Sequence, residues 1–532
     1  MRAARDGRLT ALLVFAALAL VHTWPLITAP ASLSRNDHPD TLLNEWIIAW
    51  VAHQAPRHPL QLFDANIFYP DRGALAYSEP LIVPAAMGAP LLWAGASPVL
   101  AYNLLLLAGF TLTGWAMSLV VWRWTGDWPA GIVSGVVVAF NAHVFTRLPH
   151  MQAQHPEFLP LALLAFDRVL VDLRVRSAMM LALWFVLQGL VSIYLLVFTT
   201  TALVVSWLVQ PDGWWGMRGR RAIIRLALAG VVALAALAPF LAPYLRHGLV
   251  RPLDEVAFFS ARWRDYLTTP ARVHYTWWSS RFYSGTALFP GAIGLLLAAV
   301  AVLTGCAFRD RRARMALAFG VAGVVLSFGP AVPGYAALYA WILPLQSIRA
   351  AARFGYLAIV ATAILGGFGL AWMRTRWHEA RWLPAATWAV FLLANIDAFS
   401  APLALQRAQP PIRLYDRLRG LNAVVVEFPF FPPDRAYHNA PYLMNALRHW
   451  RPMVNGYSGV IPESYVSHYL ELQGFPDDRA MGALHSLNVT HVVVHDSLLR
   501  TWNGAAAADA VAKSPFLEVV ERADDVVLYH LR

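Results

Sequence analysis

Cysteine is all but missing from this chain of 532 residues, where Cys306 stands alone. No disulfide can close within it, and no cysteine-built zinc site is available. Cys306 itself reads as a small buried apolar residue at the edge of an apolar stretch. Charge is scarce too: charged residues make up 14% of the chain, against about 25% in a soluble average. There is no heptad array, no repeat of fixed period and no low-complexity tail, which removes coiled coils, solenoids and disordered arms from consideration. Ionisable residues are few inside the apolar stretches. Asp167 and Arg168 come near one end of theirs, and Asp397 near the end of the last.

What fills the chain instead is hydrophobic, 58% of it. Apolar stretches lie near residues 9–29, 98–121, 130–146, 157–171, 178–191, 194–209, 222–245, 287–307, 315–331, 354–373 and 383–400. A hydrocarbon core of about 30 Å needs roughly 20 apolar residues per helix. The pattern predicts a polytopic α-helical membrane protein with about 11 transmembrane helices. The N-terminus has the basic start and apolar run of a signal peptide. Its apolar run continues past Trp24-Pro25 to Ile27, so an uncleaved first span is expected. Residues 178–209 are too long for one ordinary span and carry Gln188-Gly189-Leu190-Val191-Ser192 near the middle. Two short helices meeting at a polar break are expected there, tolerated where protein or a water-filled cavity surrounds the backbone.

Arginine sets the orientation. With the N-terminus inside, the inner segments 1–9, 122–128, 172–177, 211–222, 308–314 and 374–382 hold 16 arginines in 50 residues. The outer loops 30–80, 147–156, 246–286 and 332–353 hold 12 in 124. The positive-inside rule then places the N-terminus in the cytoplasm and the C-terminus outside. The net charge of +11 belongs to the same pattern, because residues 401–532 are close to charge balance and the excess lies among the spans. This distribution means topology and contact with membrane lipids; it is not the basic patch of a nucleic-acid binder.

Residues 401–532 change character. Short β-branched runs at 423–428, 491–495, 516–520 and 526–530 alternate with helical patterns at 442–450, 465–473 and 478–487. About 130 residues can bury a core of their own. The expected division is a transmembrane domain over 1–400 and a small extracytoplasmic α/β domain over 401–532.

The candidate site residues sit in the outer loops. The first loop is long, and its segment Leu43, Trp46, Ile47, Trp50 has the spacing of an amphipathic helix lying in the membrane interface. Asp40 then falls in that helix's first turn, where it can serve as an N-cap. Asp37 has no such structural reason to be there. Acidic residues held at a membrane edge are costly and point to function. Further along, Phe68-Tyr69-Pro70 and Tyr77-Ser78-Glu79 set aromatics beside acids. That mixture suits a carbohydrate and equally an interfacial aromatic belt. The second loop packs His150, Gln152, His155 and Glu157 into a short connection, a density suited to hydrogen-bonding a sugar or a phosphate. A divalent metal on His150, His155 and Glu157 is possible, but the spacing matches no strong motif, and no cofactor is indicated. At the outer entrance to the tenth stretch, Arg349 and Arg353 are four apart, so a helix would place them on one face to grip a diphosphate or snorkel to headgroups. Arg262, Arg264 and Arg272 could join the same anion site.

Together the strings Asp40-Thr-Leu-Leu-Asn-Glu-Trp46, Phe68-Tyr-Pro70, Leu75-Ala-Tyr-Ser-Glu79, Leu148-Pro-His-Met-Gln152, Arg353-Phe354 and Met453-Val-Asn-Gly-Tyr-Ser-Gly459 resemble a bacterial family of polytopic proteins similar to GT-C glycosyltransferases. Those include the protein mannosyltransferase and aminoarabinose transferase branches and the larger YfhO-like proteins. The resemblance covers nearly the whole chain. It implies a GT-C-like fold in a bacterial inner membrane and transfer of a sugar from a polyprenyl-phosphate carrier on the extracytoplasmic side. An acidic first-loop residue would act as base toward the acceptor. Asp40 matches the family's position. The adjacent acid pair of the mannosyltransferase branch is absent here, which leaves the base open between Asp40 and Asp37. Two other classes compete with glycosyl transfer, a non-catalytic envelope assembly protein and a transporter of lipid-linked saccharide.

Overall fold

The computed structural model describes residues 2–211, 214–248, 250–283 and 285–532, with side chains from Gly7 onward. A helix stands at each expected apolar stretch: Arg2–His22, Pro98–Thr125, Trp128–Ala139, Phe158–Asp172, Val175–Val191, Ile193–Leu208, Gly216–His247, Ala292–Leu303, Arg311–Ser327, Gly355–Arg376 and Leu383–Ala398. By length and composition, four segments among the described residues are able to cross a membrane: Pro98–Thr125, Trp128–Thr146, Gly216–His247 and Ala351–Arg376. The others are shorter. One apolar helix, Ile82–Trp93, falls outside the expected set. Its twelve residues contain Pro84 and Pro90, which make it look like a loop when read along the sequence.

The chain forms two compact units. One comprises Met1–Pro30 with Asn103–Ala404, the other Ala31–Tyr102 with Leu405–Arg532. The second therefore takes in the whole first outer loop in addition to the C-terminal α/β region.

In the helical unit, Gly355–Arg376 is the central helix, buried without interruption from Gly355 to Ala371. It packs against Trp128–Ala139, Ala292–Leu303 and Arg311–Ser327. Small residues allow this, as they do generally between helices in lipid. A Cβ on Gly369 would stand 2.0 Å from the Leu297 carbonyl oxygen, and one on Gly320 would stand 2.5 Å from the Ala361 Cβ. Alanine at either position would push the helices apart. By contrast, only 17% of the apolar window of Gly216–His247 is buried, so its face suits lipid. The polar break at residues 188–192 is real: Val175–Val191 stops at Ser192, whose extended backbone and side chain cap Ile193–Leu208 through the Leu195 N–H. Two acids near the ends of apolar stretches have partners. Asp167 pairs with Arg311 and Arg312. Asp397 pairs with His274 and accepts from the Ala292 and Ile293 N–H groups at 3.1 and 3.0 Å, at a helix N-terminus where negative charge is favoured.

In the second unit, β1 (Leu33–Ser34) pairs antiparallel with β2 (Gln406–Arg407). A four-stranded sheet contains β3 (Val425–Phe428), β4 (His491–His495), β5 (Leu517–Ala523) and β6 (Val526–Leu531), in the order β3-β4-β6-β5. Only β3 and β4 run parallel. The helices Ala440–Ala446, Glu463–Leu472 and Asp478–Ser486 fall where the sequence pattern predicts them. Leu414, Tyr415, Leu418, Val425, Val493 and Leu528 form one core cluster against this sheet. Past β3 the chain adds two more rungs. Val425 bonds to Pro452 and Val454 to Val425, while Phe68 and Tyr69 donate to the carbonyls of Asn455 and Met453 at 3.1 and 2.9 Å. The first outer loop is thus hydrogen-bonded along the 453–455 segment, which satisfies backbone groups that a free loop would leave to solvent.

This corrects two expectations. The helix Pro39–Gln54 does not lie amphipathically in an interface. Leu43, Trp46, Ile47 and Trp50 are buried, and so are the intervening Asn44, Glu45, Ile48 and Ala49, because Ile82–Trp93 and Ala440–Ala446 pack against it. Nor does Phe68 of the first loop face an interface: it sits edge-on between Tyr77 and Tyr465 with centroids 5.7 Å away on both sides, inside the core.

Candidate active site

The helix Pro39–Gln54 places the acids of the first outer loop. His38 is its N-cap, accepting from the Asp40 N–H at 3.2 Å through Nδ1, and Pro39 occupies the first helical position. Asp40 is therefore not the cap; it stands one residue inside, in the turn where the helix dipole favours a carboxylate. The Tyr457 hydroxyl donates to Asp40 Oδ1 at 2.6 Å, and the Asp40 side chain keeps 25% of its surface exposed. Asp37 is arranged differently. Arg35 takes both of its oxygens, Nε to Oδ1 at 3.0 Å and Nη2 to Oδ2 at 3.2 Å. Of the two, Asp40 is the one oriented by a tyrosine hydroxyl.

A third acid, absent from the sequence-based candidates, lies one turn further on. Glu45 has no exposed surface. Ser34 Oγ donates to its Oε1 at 3.1 Å and Asn36 Nδ2 to its Oε2 at 3.2 Å. Burial pushes its carboxyl up to about 7, against the pull of those two donors. Glu45 ties the incoming strand and turn to the helix, and so fixes the segment that carries Asp37. Glu79, by contrast, is buried in the loop after the Ala74–Tyr77 turn.

The helical unit gathers a second set. His155 Nδ1 meets Glu157 Oε1 at 2.9 Å, with both side chains buried. Gln188, from the end of Val175–Val191, donates to the His155 carbonyl at 3.1 Å, and Gln154 donates to the carbonyls of Val144 and Arg147. These bonds spend the amide N–H groups on backbone. They leave Gln154 Oε1, Gln188 Oε1, Gln152 Oε1, Glu157 Oε2 and His155 Nε2 buried without a hydrogen-bond partner. Among the described residues, no group of three His, Cys, Asp or Glu is disposed to hold a metal.

Arg349 and Arg353 do not share a helix face. Arg349 lies in an irregular stretch and Arg353 in a 3-10 turn, Ala351–Phe354, before the central helix begins. Arg349 reaches Glu255 at 3.9 Å and lies over the Phe259 ring. The Arg353 guanidinium lies over the Tyr194 ring at 4.6 Å, and Tyr194 in turn accepts from the Arg349 N–H. The expected two-arginine clamp is replaced by a different grouping. His143 feels the charges of Arg147, Arg353 and His150 together, which brings residues of the second outer loop close to Arg353. The Arg272 guanidinium is taken up by the carbonyls of Ala401 and Pro402, while Arg262 closes a turn through its backbone N–H, which donates to Asp265 at 2.7 Å. Tyr457 and Glu45 escaped the sequence-based candidates because their partners lie up to 417 residues away or are ordinary-looking neighbours such as Ser34.

Compared with known proteins, no protein-family model and no curated protein matches the chain. Solved structures do. The arabinofuranosyltransferase AftD from Mycobacteria superposes over 99% of this chain with a TM-score of 0.65 at 16% identity. The oligosaccharyltransferase of Archaeoglobus fulgidus superposes over 94% of this chain and 71% of its own, with a TM-score of 0.51 at 12% identity. ArnT from Cupriavidus metallidurans covers 91% of this chain at a TM-score of 0.46 and 14% identity. The chain spans 40% of the length of AftD. At these identities the likeness is one of fold, and the fold is that of the GT-C glycosyltransferases.

Proposed function

We propose, from a chain that carries the GT-C fold, that it is a multi-pass membrane glycosyltransferase moving a sugar from a polyprenyl-phosphate donor to an acceptor on the extracytoplasmic face. Fold alone does not carry activity. The observation that carries this reading is Asp40, a partly exposed carboxylate in the first turn of a helix, oriented by the Tyr457 hydroxyl.

Transfer requires the acceptor hydroxyl to lose a proton as it attacks the anomeric carbon, and a positioned carboxylate does this as general base. Asp40 takes that role; Asp37, held by Arg35, stabilises the turn. Separately, within the helical unit, Arg353, Arg147 and His150 gather positive charge of the kind that a departing lipid phosphate needs. The acceptors left over on Gln152, Gln154, His155, Glu157 and Gln188 suit a ligand that brings its own donors. Sugar hydroxyls do so, and a phosphate does not. No step in this scheme uses a metal.

Against transport, the buried acids Asp167 and Asp397 are committed to structural partners. The orientation, with the N-terminus cytoplasmic and residues 405–532 outside, rests on arginine placement. The test is purified chain incubated with labelled polyprenyl-phosphate sugars. Label leaving the lipid is expected from wild type and not from Asp40→Asn. A stable protein that never moves label from any such donor would return the chain to an assembly role.

A further inference from the structure

Away from these clusters, a groove of about 290 Å³ runs between the ends of Arg2–His22 and Leu383–Ala398. It is lined by Leu18, Val21, Ile396 and Phe399, by the hydrogen-bonded His22 and Asn395, and by Val273 and Arg272. Val21 and Ile396 are more than half exposed, so the groove opens sideways from the helical unit. By arginine placement this is the outer end of both helices.

We infer that the groove binds one anionic glycerophospholipid of the outer leaflet, its acyl chain along Leu18, Val21, Ile396 and Phe399 and its phosphate on Arg272. The charge is what selects this occupant. Arg272 donates through Nε to the Ala401 carbonyl and through Nη2 to the Pro402 carbonyl at 3.2 Å, which pins the guanidinium in place. Neither partner neutralises it. Asp397, the acid on the neighbouring helix, is already spent on His274 and on two backbone N–H groups. Among the described residues Arg272 has no acidic partner. A fixed, uncompensated cation at the rim of an apolar slot complements a phosphate attached to a hydrocarbon chain. The volume sits just below the roughly 300–1,000 Å³ of small-molecule pockets, which is room for a length of chain and leaves the headgroup outside on Arg272. A groove open to the bilayer along its side exchanges with the abundant membrane lipid, so a phospholipid is its occupant in preference to a scarce carrier. The site is independent of the glycosyl-transfer reading.

The experiment is native mass spectrometry of the full chain in detergent, titrated with phosphatidylglycerol or phosphatidylcholine. Wild type is expected to retain one phosphatidylglycerol about fivefold more tightly than phosphatidylcholine, the scale of one basic residue near an anionic headgroup. Arg272→Gln, which keeps a donor for the carbonyls, is expected to lose that preference. Ile396→Trp fills the slot and is expected to weaken both lipids, while Leu234→Trp, on an exposed face of another helix, changes neither. Equal binding of the two lipids by wild type, preference retained in Arg272→Gln, or undiminished binding of both lipids by Ile396→Trp would overturn the site. Displacement of the phospholipid by equimolar polyprenyl phosphate would overturn its assignment to a bilayer lipid.

Discussion

The acids of the first outer loop and the polar residues of the second are both set in apolar surroundings, yet they solve the problem of burial in opposite ways. In the first, side chains answer one another: Arg35 with Asp37, Tyr457 with Asp40, Ser34 and Asn36 with Glu45. In the second, the amide N–H groups of Gln154 and Gln188 go to backbone, and acceptor atoms are left buried and unanswered around the His155–Glu157 pair. Buried polar atoms are normally paired, so leftovers ask for water or a ligand. Donors arranged around a carboxylate hold it still, which is the condition for electrostatic and acid–base catalysis. The first loop thus has the form of a reacting site, and the second that of a binding site.

The comparison breaks most sharply at Asp40. Asp40→Asn is expected to lower transfer by on the order of 10²–10⁴, the usual worth of a positioned general base. Thermal stability should move by less than ~1 kcal/mol, as for substitutions at partly exposed loop-proximal positions. His38 remains as the cap, so the helix start does not depend on the carboxylate. Asp37→Asn should cost far less activity. Equal losses in both variants, measured as single-turnover rates, would show that the two acids act as a pair.

Arg353 comes next. If its guanidinium meets a phosphate, Arg353→Lys should raise the KM for the lipid donor by about tenfold with little change in kcat. Lysine keeps the charge and loses the fork and the stacking on Tyr194. Arg349→Lys, whose side chain is turned to Glu255, is expected to be nearly silent. A reversed order would restore the sequence-based pairing of the two arginines.

That pairing shows where the sequence could and could not be read. Helix positions were legible because apolar runs of fixed length carry them, as at Pro98–Thr125 and Gly355–Arg376. The strands at 425–428, 491–495 and 526–531 were legible from β-branched runs of the right length. The break at Ser192 could be read from a run too long for one helix. Arg349 and Arg353 misled because spacing of four implies a shared face only if the segment is helical, and the chain there is irregular before the central helix. Glu45 was hidden in plain view, since nothing in its local pattern says that Ser34 and Asn36 fold back onto it. The membership of the first loop in the second unit was invisible for the same reason: the rungs at 66–69 and 453–455 join segments nearly 400 residues apart.

Tyr457 sharpens the comparison further. Its hydroxyl sits 2.6 Å from Asp40 Oδ1, and a hydrogen bond to a charged group is worth about 1.5–3 kcal/mol. Tyr457→Phe keeps the ring and removes the bond, so activity should fall by roughly tenfold. Losing the donor leaves Asp40 a stronger base with less orientation, so the acidic limb of the pH–rate profile should move to higher pH. A tenfold loss with no movement of that limb would mean that Tyr457 touches the acceptor instead of the base.

The smallest effect on rate, and the most informative on stability, is expected at Glu45. Its carboxyl is raised from 4.5 to about 7 by burial, so the folded protein binds that proton more tightly than the unfolded chain does. The resulting stability is fully present below pH 4.5 and is lost as pH rises through about 7. The whole span is worth ~3 kcal/mol at most, from the size of the shift. Glu45→Gln should remove this dependence and leave a protein more stable than wild type above neutrality. The substitution is well accommodated. The Asn36 Oδ1 is buried without a partner, so the Asn36 amide can turn over and accept from the new NH₂ group, while the Ser34 hydroxyl still donates to the remaining oxygen. Thermal unfolding between pH 5 and 8.5 reads the effect directly. Wild type should lose stability toward the alkaline end and Glu45→Gln should not. Parallel curves would show that Glu45 stays ionised across the range, and that the first loop holds a permanently buried charge.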